Sequence, residues 1–301
     1  MKTTAQLVKR NIKMFFADKG LFFTSLITPA ILLLLYVTFL RDVYRDSFMA
    51  IICDGFGANV SDSIIDGFVG GQLLSSLLAV ATVTVSFCSN MLMVQDKITG
   101  MTVDMKVTPV KKYIPPVSYY IATVAVSFFI ALVAVAGGLI YVAIEGWYLS
   151  VTDVLLVIFD TLLLVLFGTA LSSVINFFLS SQGQISAVGS IVSSCYGFLS
   201  GAYMPISQFP EWLKKTIAFL PGTYGMSLLR EHTMRGCLSE MAKEGLPAEA
   251  IEALRDTTDC NLYFFDVQVE QWQKYLVLIG AIVVLMSIYI VLNFKKTKAK
   301  K

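Results

Sequence analysis

Leu21–Leu40 is a run of twenty residues without a single charge, and that is enough to cross the hydrocarbon core of a bilayer as a helix. It is not alone. Uncharged or nearly uncharged stretches recur at about Gly67–Val94, Pro115–Ile144, Val151–Leu179, Ile185–Tyr203 and Trp272–Phe294. Water cannot satisfy backbone groups inside lipid, so such segments must be helices or a closed barrel, and runs of this length are helical. Pro29 inside the first run is tolerated in a membrane helix. Only Glu145–Ser150 separates the third run from the fourth, which predicts a tight helical hairpin. The expected fold is an all-α membrane protein with six transmembrane helices. Composition agrees: 56% of the residues are hydrophobic and 15% charged, well under the quarter that soluble domains carry. The first run is too long for a signal peptide, and Arg41-Asp42 follows it rather than a small-residue cleavage site.

The net charge of +2 matters less than its placement. Fourteen lysines and arginines fall on one side of a six-span arrangement: Lys2, Lys9, Arg10, Lys13, Lys19, Lys97, Lys106, Lys111, Lys112, Lys295, Lys296, Lys298, Lys300 and Lys301. Nine fall on the other, six of them in the long segment between the fifth and sixth runs. That segment is also acidic, from Glu211 to Glu270, and long loops weigh little in the positive-inside rule. Both termini and residues 95–113 are therefore expected in the cytosol. The chain divides into residues 1–20, a membrane domain at 21–294 with an outer region at 204–270, and a basic tail at 295–301.

Residues 3–18 place Val8, Ile12 and Phe15 on one helical face, with Phe16 beside them and Lys9, Arg10 and Lys13 within reach of headgroups. Such a helix lies in the interface plane, either as a plain basic anchor or with a role of its own. After the second span, Gln95–Val110 reads as a short amphipathic cytosolic helix. Gly100 permits the turn that ends one helical segment, and Pro109 stops the next. A connector resting on its own headgroups would share these features.

Asp96, Lys97, Thr99, Gly100, Asp104, Thr108, Pro109 and Val110, at this place after span two, resemble the membrane subunits of ABC-2-type transporters. These include antibiotic, drug and polysaccharide exporters. The resemblance implies that the loop, Met101 included, is a coupling helix that docks on an ATPase subunit. It also implies that residues 3–18 are the connecting helix. Gln95-Asp96 departs from the Glu-Arg-rich stretch of many members, which bears on the docking partners. A second stretch carries the likeness further: Gly201, Pro205, Pro210 and Trp212, Pro221 and Tyr224, then Arg230. It implies outer re-entrant helices that lid the exit path. The physical alternative is an interfacial anchor with Trp212 and Tyr224 at headgroup level. The likeness covers essentially the whole chain, most loosely at residues 42–66 and 237–270.

Ser186, Gly189, Ser193, Gly197 and Gly201 form a small-residue stripe on the fifth run. Such a stripe serves close helix packing at a dimer seam or the lining of a path. Asp160 is the one acid well inside a span. It must face protein or water or be protonated, as a substrate or interhelical contact or as a polar group bonded to Thr161 or a neighbouring span. Asn176 and Gln182–Gln184 are candidates for a second, minor docking loop. Cys237 and Cys260 share the outer segment, and a bridge between them would suit an oxidising exterior.

The chain has one histidine, His232, and no CxxC pair, so neither a histidine metal cluster nor a thiol redox motif is present. It also lacks GxxxxGK[ST], HExxH and GxSxG motifs. ATP and magnesium are thus expected in a partner ATPase, with no cofactor in this chain. The other expected partners are a second copy or a homologous permease and the lipid bilayer, with no nucleic acid. The resemblance implies a bacterial plasma-membrane location. A lipid-modifying membrane enzyme using Asp160 or His232 would need an acid–base pair that the sequence does not display. A secondary transporter would show inverted repeats and more intramembrane charge. Drug, peptide antibiotic, lipid-linked glycan and ion all remain open as substrates.

Overall fold

The computed structural model describes residues 2–102, 105, 108 and 110–298. Helix α1 (Lys2–Ala17) leads into α2 (Lys19–Leu35), whose first turn is capped by the Asp18 carboxylate accepting the Leu21 N–H. Helix α2 runs on through a π-helical stretch, Tyr36–Leu40, into α3 (Arg41–Met49) and a second π-helical stretch, Ala50–Gly55. Then follow α4 (Asp62–Ile98), α5 (Ile114–Glu145), α6 (Val151–Phe178) and α7 (Gln182–Leu199). Next come a 3-10 turn (Ile206–Gln208), α8 (Glu211–Ile217), α9 (Pro221–Lys243) and α10 (Ala248–Thr257). An antiparallel hairpin of β1 (Leu262–Phe264) and β2 (Val267–Val269) precedes the last helix, α11 (Gln271–Lys298). The basic tail is thus largely a continuation of α11, and residues 299–301 lie outside the described residues.

Among the described residues, five helices are long and apolar enough to cross a membrane: Lys19–Cys53, α4, α5, α6 and the stretch Gln271–Lys295. The fifth expected span, now α7, is not among them. It opens on Gln182 and Gln184, is rich in serine and glycine, and ends at Leu199, four residues short of Tyr203. The end is set by Gly201, whose φ of +80° turns the chain into a conformation that L side chains rarely adopt. Residues 42–55, where the family likeness was loosest, extend the first span as helix rather than loop.

Helix α4 is the axis of the bundle. Its apolar stretch is buried on every side, against α5, α6, α9, α2 and α7. A helix enclosed all round must satisfy its polar groups internally. Ser75, Thr82, Thr84, Ser86 and Ser89 do so by donating to carbonyls three or four residues back. Asn90 donates to Ser172 and Ser173 on α6, and Ser89 meets Ser127 on α5. The opposite situation holds on the rim. Phe23, Ile27, Ile31 and Leu34 on α2, Phe129 and Val133 on α5, and Leu276 and Val283 on α11 are exposed. That much uncovered apolar surface belongs against lipid or another chain.

Helix α9 is the unexpected member of the core. It runs antiparallel to α4, with Cys237 opposite Gly67 and Thr233 opposite Gly71. A Cβ at Gly71 would stand 2.6 Å from the Thr233 carbonyl oxygen and 2.9 Å from Met234 Cγ. Gly71→Ala is therefore expected to lower stability by about 1–3 kcal/mol through overpacking. Gly137→Ala on exposed α5 surface, where a Cβ meets nothing within 4 Å, should be neutral or gain up to about 1 kcal/mol. Unfolding temperatures of the two variants in detergent measure the contrast.

Candidate coupling and gating sites

At the end of the bundle where α4 finishes, Asp96 is buried. Arg10 of α1 grips it with two hydrogen bonds, Nη1 to Oδ2 at 2.5 Å and Nη2 to Oδ1 at 3.0 Å. The Tyr119 hydroxyl of α5 donates to the same carboxylate. The hydrogen bond to Asp96 raises the Arg10 guanidinium above its ordinary value. Lys97 turns the other way: its ammonium donates to the carbonyls of Asn176, Phe177 and Leu179, capping the end of α6. Both residues are among those expected to couple to an ATPase, and in the structure both have their charged groups bound within the chain. Asn176 is buried as well, so its side chain is not a docking group, whereas Gln182 and Gln184 are exposed.

Past this root the loop is open. Thr99 closes α4 by donating to the Gln95 carbonyl, and Gly100 takes a φ of +82°. Thr99 and Met101 are exposed, and the exposed Thr108 donates to the Met105 carbonyl. The Val110 N–H donates to the Thr108 carbonyl. Asp104 and Pro109 lie outside the described residues. Between the loop and the ends of α5, α6 and α11 is a cavity of about 570 Å³, bordered by Met105, Val110, Lys112, Phe177 and Tyr289.

The opposite end is organised by Arg230, which is fully buried on α9. Its Nη1 donates to Asp259 at 2.6 Å and its Nη2 to the Gly201 carbonyl at 2.6 Å. Asp259 also accepts the N–H groups of Ile206 and Ser207. Burial pushes the Asp259 carboxyl up, while Arg230 and those two N–H groups pull it back. One ion pair thus joins α9, the end of α7, the 3-10 turn and the segment before β1. Tyr36, at the π-helical stretch after α2, reaches the same place and donates to the Ala202 carbonyl. The prolines shape the path between. Pro205 and Pro210 are extended residues before the 3-10 turn and α8, and Pro221 starts α9, where its missing N–H costs nothing. Tyr224 is buried and donates to the Ala218 carbonyl, so it is no headgroup anchor, whereas Trp212 is exposed.

Asp160 and His232, distant in sequence, meet inside the bundle: Nδ1 lies 2.5 Å from Oδ2, and neither side chain is exposed. Tyr275 of α11 donates to Asp160 at 2.8 Å, and Gln271 contacts the other imidazole nitrogen at 2.7 Å. The pair that an enzyme reading lacked is therefore present, but every polar atom of it is engaged by a helix and none is open to solvent. Asp160 is an interhelical contact.

The small-residue stripe is partly spent within the chain. Gly197 and Gly201 are buried, the first under the Tyr203 ring and the second beside Ile206. Close packing there is against the chain's own turn, while Ser186 remains exposed. The backbone of Ser193 continues α7. Cys237 and Cys260 are free and buried, and the expected bridge is not formed. Cys237 sits against Gly67 of α4, whereas Cys260 accepts from Thr258 beneath α10.

Two substitutions separate these roles. Asp96→Asn weakens a charge-assisted pair worth about 1.5–3 kcal/mol, so α1 should detach and trypsin should cut at Lys9 and Lys13 on the order of tenfold faster. Arg230→Met strands a buried carboxylate and should cost about 3–5 kcal/mol, and the double variant with Asp259→Leu should recover part of that loss. Denaturant or thermal unfolding measures both.

A comparison with curated proteins finds no match. The family model for ABC-2 type transporters matches residues 3–233, from α1 through Thr233 of α9. That match spans well over half of the chain and both ends of the bundle described above, and the chain belongs to the ABC-2 type transporter family as a multi-pass membrane permease.

Proposed function

We propose that this chain is the permease subunit of an ATP-driven exporter, working as a dimer with a second copy or a homologous permease and driven by a separate ABC ATPase. In this reading α7 is the fifth of six spans, completed by its neighbours rather than by its own hydropathy. Both termini and the 95–113 loop face the cytosol, and the membrane is a bacterial plasma membrane. Helices α8 and α9 form the re-entrant lid on the exit side: α9 begins beside Tyr196 and Leu164, well inside the bundle, and ends at Lys243.

The observation that carries the reading is how the loop after α4 is mounted. Its root is fixed, because Asp96 and Lys97 are tied to α1, α5 and α6. Its described outer part, Thr99 and Met101, is uncovered. A segment that receives force from another protein needs such a rigid root and an exposed contact surface. The nearby cavity offers a recess for a partner side chain. ATP and magnesium belong to the ATPase. Export rather than import rests on the family likeness, and the substrate classes left open by the sequence remain open.

The test uses the permease co-expressed with its ATPase. Met101→Glu and Asp104→Ala should reduce permease-dependent ATP hydrolysis and transport on the order of tenfold while leaving the unfolding temperature of the permease unchanged. Wild-type hydrolysis and transport in both variants would refute the coupling assignment. A single cysteine at Thr99, labelled only from outside the cell, would refute the topology.

A further inference from the structure

Between α8 and the start of α11 the protein leaves uncovered an aromatic surface for which the lid reading supplies no partner. On α8 and the turn after it, Trp212, Lys215, Thr216 and Phe219 share one exposed face. The hairpin adds Phe264 and Phe265 at its tip. Their rings pack edge to face with each other at 4.9 Å and with Phe219 at 5.3 and 5.9 Å. Trp212, Phe219, Phe265 and Val267 are each half or more exposed. The cost of leaving so much aromatic surface in water argues for a partner.

The position of the cluster identifies the partner. Phe219 precedes Leu220, and Leu220 packs in the same apolar cluster as Val269 and Val277. Val277 lies six residues into α11 from Gln271, about 9 Å along the helix axis. The hairpin tip, resting on Phe219, therefore folds back alongside the first turns of a membrane-crossing helix. The wall it reaches is the least covered of the five spans: only 11% of the apolar window of α11 is buried. Rings at this depth coincide with the headgroup boundary that Trp, Tyr and Phe favour. Asp266, at the turn with a φ of +67°, sets a limit on how far the hairpin can enter, since an unpaired carboxylate does not follow into hydrocarbon.

We propose that Phe219, Phe264 and Phe265, with Trp212, are seated in the interfacial layer of the bilayer leaflet that α11 enters at its N-terminal end. The hairpin is then a lipid-binding element that fixes the α8–α9 turn to the membrane surface. Lys215, on the same face, reaches the phosphate layer. The proposal depends on α11 crossing the membrane and not on which side is cytosolic or on an ATPase, so it stands or falls separately from the exporter reading.

The test replaces Trp147, Trp212 and Trp272 by Phe, introduces Phe265→Trp, and reconstitutes the full chain in phosphatidylcholine vesicles. Lipids brominated close to the glycerol backbone should quench this tryptophan at least twofold more than lipids brominated at the chain end, and acrylamide should quench it weakly. Lys243→Trp in the same background, at the exposed end of α9, should be quenched strongly by acrylamide and little by either brominated lipid. If Phe265→Trp disturbs the fold, as judged by unfolding temperature, Tyr263→Trp supplies the same readout from the neighbouring strand. Strong acrylamide quenching without lipid quenching would overturn the proposal in favour of a solvent-facing patch. Insensitivity to both would overturn it in favour of cover by a second protein.

Discussion

The enclosure of α4 on every side is the constraint from which the rest of this structure follows. A helix of 37 residues, about 55 Å long, whose apolar stretch is buried on every side, has few ways to place the hydroxyls and amides it carries. Ser75, Thr82, Thr84, Ser86 and Ser89 donate to their own backbone, and Asn90 and Ser89 also reach the two neighbours that run beside them. Side chains this small also let five elements crowd one axis. The charges are kept to the ends. Asp62 and Asp66 meet Arg41 and Arg45 at one end, and Asp96 meets Arg10 at the other. The axis is therefore apolar in the middle and ionically clamped at both ends, which resists sliding along its length as well as lateral loss of a neighbour.

Ionisable groups that enter the interior come with partners. Arg230 with Asp259 and His232 with Asp160 are each held by further hydrogen bonds with a carbonyl, backbone N–H groups, a tyrosine or an amide. Buried pairs of this kind contribute little net stability relative to apolar residues, but losing one partner is expensive. Their effect is to make one arrangement of α9 against α6, α7 and α11 far better than its neighbours in register. An apolar interface in the same place would slide more freely.

The spans were legible because their signal is local. Leu21–Leu40 announces itself by the absence of charge, and Gly100 marks the end of α4 at the residue where φ turns positive. The partners were not legible, because they are distant in sequence and carry no periodicity. Nothing near Asp96 indicates Arg10, 86 residues earlier, and nothing near Asp160 indicates His232, 72 residues later. Helix α9 defeated the sequence for a different reason. Its apolar and polar residues are mixed around its whole circumference, since α4 meets it through glycines of its own, Gly67 and Gly71, and polar contacts to α6 replace the single greasy face that periodicity detects. Gly197 was misleading in the same way: a small residue four positions from another reads as a helix seam, although here it makes room for Tyr203 six residues on.

Helix α6 shows how these local solutions combine. Its C-terminal end is capped by Lys97, from the last turn of α4. Its N-terminal half holds α9 at three levels: Asp153 binds Arg235, Asp160 binds His232, and Leu164 fills the space beside Gly225. A rigid helix gripped at both places cannot tilt at one end alone. If force enters at the loop, as the exporter reading requires, displacement of Lys97 draws on α6 directly, and α6 has no route to relax that leaves α9 where it was. The tie between α9 and α7, Arg230 on the Gly201 carbonyl, would then be the first contact to bear the load, because the hinge-like φ of Gly201 lies at that junction. In that reading, the two ends of the bundle would be linked through this one helix and the side-chain pairs that fasten it.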